Sequence, residues 1–152
     1  MNNKRVLIVG GGHAGIEASF AIANMGIEAI MVTMDMGAIG RMSCNPAIGG
    51  LGKGHLVKEI DALGGVMGLA TDVCGLQFKM LNTSKGRAVW SPRAQVDKKK
   101  YSSFVQKKVF EHKNITVLQD EVVDISVNNS VISGVFLRNG GHIKVGALIV
   151  CS

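Results

Sequence analysis

Three glycines at the spacing G-x-G-x-x-G, Gly10, Gly12 and Gly15, are the residues of this sequence best suited to holding a ligand. The group they suit is a diphosphate. A pyrophosphate needs backbone N–H groups at close range and the positive end of a helix dipole, and side chains would block that approach. In this pattern Gly10 permits a tight turn, Gly12 lets the phosphate come near, and Gly15 lets the following helix pack closely on the strand. Gly11, His13 and Ala14 complete the loop.

The fingerprint carries meaning only between a strand and a helix. Arg5 to Val9 is a short unbroken apolar run after one charge, as expected of a strand buried on both faces of a parallel sheet. Ala14 to Met25 is Ala-rich and mostly apolar and reads as a buried helix closed by Gly26; Glu28 to Thr33 reads as a second strand. This context predicts dinucleotide binding. An acidic residue at the end of the second strand usually holds the adenosine ribose, but that position falls at Thr33, with Asp35 two residues on. A threonine hydroxyl can still bond a ribose. The motif alone serves FAD and NAD alike.

Size and composition set the frame. At 152 residues, 47% hydrophobic and 18% charged, the chain has the makings of one ordered domain rather than a disordered segment. It holds no apolar run of the ~18 residues that a membrane span needs. The first strand begins within about five residues of Met1, too early for a leader peptide, so a cytoplasmic protein without membrane attachment is expected. Cys44, Cys74 and Cys151 are odd in number and far apart, which argues against a disulfide framework or a zinc site. Ala147 to Ser152 reads as a buried strand ending with the chain, so an N-terminal piece of a longer protein is expected.

Between the fingerprint and that last strand, Met34 to Lys53 is glycine-rich and reads as a long loop, a place where function concentrates. It is not a Walker loop: Ala47 stands where the first glycine should be and Gly54 follows Lys53. Leu56, Val57, Ile60 and Leu63 have helical spacing; Val66 to Gly75 is loop-like; Leu76 to Leu81 suits a strand followed by a polar turn, Asn82 to Gly86. Ser91-Pro92 has the form of a helix start. Tyr101, Phe104, Val105 and Val109 make an apolar stripe, Ile115 to Leu118 a third parallel strand and Glu121 to Val127 a further segment. Val131 to Leu137 and His142 to Val145, joined through Asn139-Gly140, form a hairpin.

Charge is concentrated in one stretch. From Lys79 to Lys113 there are ten basic residues against two acidic, a local balance of +8 in a chain whose total is +6. A basic segment of this kind is the footprint of a polyanion partner, although it also suits a solvated helix face.

Longer words of the sequence are more specific. Gly-Gly-Gly-His-Ala-Gly at 10–15, the block Met42 to Gly65 with its Ser-Cys-Asn-Pro-Ala-Ile-Gly-Gly, Leu-Asn-Thr-Ser-Lys-Gly at 81–86 and Pro-Arg-Ala-Gln at 92–95 closely resemble the bacterial tRNA uridine 5-carboxymethylaminomethyl modification enzymes, the MnmG or GidA family. The likeness runs from about Val6 to the last residue. It implies an α/β fold: a Rossmann-like FAD-binding domain of the glutathione-reductase type, with a parallel sheet, helices and a small antiparallel β-hairpin region. It further implies FAD, NADH as reductant, methylenetetrahydrofolate as carbon donor, glycine as amine source, tRNA as substrate, the GTPase MnmE as partner, and a homodimer in the full-length protein.

Carried over by position, the backbone of Gly10 to Gly15 holds the FAD pyrophosphate and the main chain of Val122 meets the adenine. The Ser43-to-Gly52 loop lies along the flavin. Cys44, the one cysteine within this loop, is the candidate for covalent or acid–base chemistry, with Lys53 or a helix N-terminus to favour its thiolate. His13 is a candidate cap for the phosphates. Lys85, Arg93, Lys98, Lys99 and Lys100 are the tRNA-facing candidates. The chain departs from the family at Arg87, usually Pro, at Trp90, usually Arg, and at Ser19, usually a small apolar residue. Members of the family are several times longer, so the isolated chain is expected to hold FAD weakly or not at all and to be inert. Two other readings compete: a non-catalytic flavin-binding fragment, and a folate- and FAD-dependent tRNA methyltransferase relative, which the Met42–Gly65 block argues against.

Overall fold

The computed structural model describes residues 5–151. In chain order its elements are β1 (Val6–Val9), α1 (His13–Asn24), β2 (Ala29–Thr33), β3 (Ala47–Gly49), α2 (Lys53–Ala62), α3 (Met67–Cys74) and β4 (Gly75–Leu81). There follow β5 (Ser91–Val96), α4 (Lys98–Glu111), β6 (Ile115–Gln119), β7 (Val122–Asn128), β8 (Val131–Leu137), β9 (His142–Lys144) and β10 (Ala147–Val150).

The apolar runs meet as a parallel sheet in the order β10-β1-β2-β6. Leu7 lies beside Ile30 and Leu148, and Val32 beside Leu118, so the centre of the sheet is aliphatic on both faces. Alternation along each strand splits the core in two. Ile8 and Met31 face α1 and α4, where Ile16, Phe20, Tyr101, Val105 and Val109 are buried. Leu7, Ile30 and Val32 face the opposite way, onto Val135 and Val145. The antiparallel sheet β7-β8-β9 therefore covers one side of the parallel sheet and the helices cover the other. The layers are three, and the α/β class, with a parallel sheet, helices and a small antiparallel region, is the one expected from the sequence.

A third sheet, β3-β5-β4, is antiparallel and sits with α2 and α3. Here the sequence reading needs correction. Val66 to Gly75 is not a loop: it contains α3, whose first turn is tied down by a distant carboxylate, Glu17, accepting from Val66 N at 3.1 Å and Met67 N at 2.8 Å. Ser91-Pro92 does not start a helix. It opens β5, because Leu81 and Met80 pair with Ser91 and Pro92 across the hairpin. The helix starts seven residues later at Lys98, where Asp97 accepts from Lys99 N at 2.9 Å and Lys100 N at 3.0 Å. The loop after β2 also carries structure, the short strand β3. β10 is a strand as expected but lies at the sheet edge, with Val150 exposed rather than buried. No helix among the described residues is long and apolar enough to cross a membrane.

Candidate functional site

The fingerprint lies at the C-terminal end of β1, where the chain turns into α1. Gly10 N donates to Val32 O at 2.8 Å, and the turn follows at once with Gly10 at φ +109°. A Cβ on Gly10 would collide with the carbonyl of Cys151, and one on Gly15 with the carbonyl of Gly10. One on Gly11 would stand 3.0 Å from both Thr33 Oγ1 and Ile39 Cγ1. These three positions are closed to larger residues by the protein itself. Gly12 is different. Its φ of −74° and ψ of 178° suit any residue, and a Cβ there would meet nothing within 4 Å. It is also the N-cap of the 12-residue α1, where it supplies no side-chain hydrogen bond, and no acidic residue sits in the first turn. The positive end of the helix thus faces a space that a backbone-hugging anion fits.

His13, the first residue of α1, stands beside that space. Its Nε2 is buried without a hydrogen-bond partner among the described residues, and its ring lies 5.7 Å from that of Tyr101. Burial pushes its pKa below the ordinary 6.5, so the ring is neutral at pH 7. Burial likewise pushes the Glu17 carboxyl up, against the two backbone N–H bonds that pull it down. Tyr101, wholly buried, has its phenol pushed far above the usual range by the same cause.

From His13 and Glu17 a cavity of about 460 Å³ opens between α1, α2 and the loop at 41–49. Its walls include Met42, Cys44, Ile48 and Lys53, and the apolar stripe of α2 (Leu56, Val57, Ile60) is turned into it. The helical spacing of these residues is as expected from the sequence. Leu56 is 58% exposed, and Gly54 is the one buried residue of α2. Cys44 is an exposed free thiol, with Ser43 Oγ 4.0 Å from its sulfur. The cavity therefore brings together His13, Cys44 and Lys53, an apolar slot with a neutral ring at one end and a thiol and an amine on its walls.

Thr33 closes β2 and sits against Gly11, at the mouth of the turn; its hydroxyl is 3.4 Å from Asp35 O. Asp35 is already engaged, accepting from Gly37 N at 2.8 Å and pairing with Arg41 at 3.3 Å. Val122 begins β7, three residues past the Gln119 that pairs with Thr33. The basic candidates lie elsewhere. Lys85 is in the β4–β5 loop, Arg93 is on β5 directly opposite Lys79, and Lys98, Lys99 and Lys100 form the exposed first turn of α4. The residues that sequence reasoning missed are Glu17, Tyr101 and Arg41. A lone carboxylate within the apolar α1 was the available signal for the first.

The sequence matches the family described as glucose inhibited division protein A over residues 5–152. It is 53% identical to the tRNA uridine 5-carboxymethylaminomethyl modification enzyme MnmG of Aquifex aeolicus over 145 residues, which is 95% of this chain and 24% of that protein. It is 50% identical to the enzyme of the same name from Chlorobaculum tepidum over 95% of this chain and 23% of that one. The chain thus spans about a quarter of the length of the curated relatives it matches. The crystal structure of Aquifex aeolicus GidA superposes with a TM-score of 0.93 at 52% identity, covering 98% of this chain and 25% of that one. A probable FAD-dependent monooxygenase, PqsL of Pseudomonas aeruginosa, shares the fold alone, with a TM-score of 0.68 at 15% identity over 97% of this chain and 42% of that one. With the fingerprint, the three layers and these matches agreeing along its whole described length, the chain belongs to the glucose inhibited division protein A (GidA) family.

Proposed function

We propose that this chain is the FAD-binding part of a tRNA-modifying enzyme, one that adds a carboxymethylaminomethyl group to carbon 5 of the wobble uridine together with the GTPase MnmE. Residues 1–152 act as one dinucleotide-binding domain of a longer, cytoplasmic, homodimeric enzyme. Two supports carry this reading: relatives at 50% identity or above are named for that activity, and the open place at Gly12, at the start of α1, leaves room for a diphosphate against the backbone.

In this reading the amides of Gly10 to Gly15 grip the FAD diphosphate at the positive end of α1. Gly11, His13 and Ala14 line the grip, and the buried His13 Nε2 gains a phosphate partner. Thr33 offers its hydroxyl to the adenosine ribose, and the Val122 main chain meets the adenine. The Ser43–Gly52 loop borders the flavin, with Cys44 placed as the thiol that reacts with uracil or flavin. FAD, when bound, supplies the redox chemistry, with NADH as reductant and methylenetetrahydrofolate as the carbon source. Lys85, Arg93, Lys98, Lys99 and Lys100 face the tRNA. The three lysines sit at the positive end of α4, where the helix dipole disfavours cations. A phosphate partner would offset that cost.

The observation that carries the cofactor half is the room at Gly12, which nothing in the fold requires. FAD titrated into the chain and into a Gly12→Asp variant, followed by flavin fluorescence, tests it. The parent is expected to bind, weakly, and the variant to lose binding while remaining folded. Equal affinity of the two overturns the assignment.

A further inference from the structure

At the tip of the β4–β5 hairpin the chain builds a small ordered loop around its single tryptophan. Asn82 takes a left-handed conformation (φ +59°) and donates through Nδ2 to Val89 O at 3.2 Å. Lys85 N donates to Asn82 O at 2.9 Å, and Trp90 N to Arg87 O at 3.1 Å. The indole itself is fixed, its Nε1 donating to Lys85 O at 3.0 Å. The Arg87 guanidinium lies over the ring, 5.7 Å from the centroid. With its indole and backbone N–H groups both bonded, Trp90 remains 38% exposed. Pinning the loop explains the Nε1 bond, but it needs no exposed ring and no arginine laid upon it.

An exposed indole with a cation on it and a second cation, Lys85, in the same loop has the makings of a base-stacking platform. Aromatic faces stack unpaired bases and nearby Lys and Arg take the phosphates, and a ring already held in place loses little freedom on binding. We infer that Trp90 and Arg87 form a stacking platform for an unpaired nucleotide of a single-stranded RNA segment, with Lys85 beside it for the adjoining phosphate. This rests on the RNA reading proposed above and specifies which residues would meet the strand and how. Paired RNA does not fit, because its bases are already stacked on one another.

Trp90 is the one tryptophan of the chain, so its emission reports on this loop alone. The chain is titrated with a short oligouridylate, with an RNA duplex, with free uridine monophosphate and with inorganic tripolyphosphate, reading Trp90 fluorescence and, in parallel, gel retardation. Oligouridylate is expected to quench Trp90, tripolyphosphate to bind without quenching, and the duplex and the free nucleotide to quench little. Trp90→Phe and Trp90→Leu both remove the Nε1 bond, so a purely pinning role makes them equal. A stacking role keeps most of the affinity in the phenylalanine variant and lowers it about tenfold or more in the leucine one. Oligouridylate retained on the gel with Trp90 emission unchanged, or equal losses in the two variants, overturns the platform while leaving RNA binding intact. Absence of binding by every RNA removes the RNA reading as well, which keeps the two failures apart.

Discussion

Gly12 and its neighbours separate two reasons for a glycine. Gly10 and Gly15 are glycines because the chain's own carbonyls occupy the place of a Cβ, so alanine at either position forces the β1–α1 turn apart. At Gly12 the protein leaves the place free. Aspartate there is a preferred N-cap and complements the dipole of α1, so Gly12→Asp is expected to leave thermal stability unchanged or to raise it by about 0.5–1 kcal/mol. The same carboxylate repels a diphosphate. Stability kept and FAD lost is the signature of a ligand-imposed glycine; Gly15→Ala is expected to lose both, as read by thermal melting. His13 gives a pH signature at the same spot. Its folded pKa lies below 6.5 through burial, so its contribution to stability is present above pH 6.5 and is lost as pH falls through the lower folded value. Melting temperatures of the parent should drop on acidification below pH 6.5, and His13→Gln should flatten that limb.

Among the elements, α4 shows how one side chain fixes a boundary. Three lysines open the helix against its dipole, and Asp97 offsets them by capping two N–H groups. Asp97→Ala is expected to cost about 1–2 kcal/mol in urea unfolding, at the upper end for a cap, because the lysines are left uncompensated. That boundary also shows what the sequence disclosed and what it hid. β1, α1, β2, β6 and the β8–β9 hairpin were legible, since each is a mostly apolar segment whose ends are marked by local chemistry. Ser91-Pro92 misled because a Ser-Pro pair suits a strand start as well as a helix start, and only the pairing with Met80 and Leu81 decides. α3 was hidden because its N-terminus is satisfied by Glu17, about fifty residues earlier in the chain. The same holds for the site. The glycine turn at 10–15 is contiguous and could be read directly, whereas the cavity unites His13, Cys44 and Lys53 through folding alone. The spacing of the α2 stripe disclosed a helix but not its role, because a cavity wall and a core face share one periodicity.

For the molecule as a whole, charge sets two opposing responses to salt. The stretch from Lys79 to Lys113 carries a balance of +8, and among the described residues only Lys107 of its ten basic groups forms an ion pair, with Glu111 at 3.8 Å. Asp97 is held in its cap. Lys79 and Arg93 even stand directly opposite each other across the β4–β5 ladder, where like charges repel. Screening that repulsion should make the chain slightly more stable as salt rises. RNA affinity should move the other way, because each neutralised phosphate releases condensed counterions, a slope of about −0.7 per contact for a single strand on a log–log plot. Changing Lys98, Lys99 and Lys100 together to glutamine is expected to flatten that slope by about 2 if all three meet phosphates. The same triple change also removes cations from the positive end of α4, so it should raise stability. Retardation assays over a range of salt, paired with melting curves, check both at once. A triple variant that is more stable yet keeps the parent's salt slope would place the bound RNA backbone away from the start of α4.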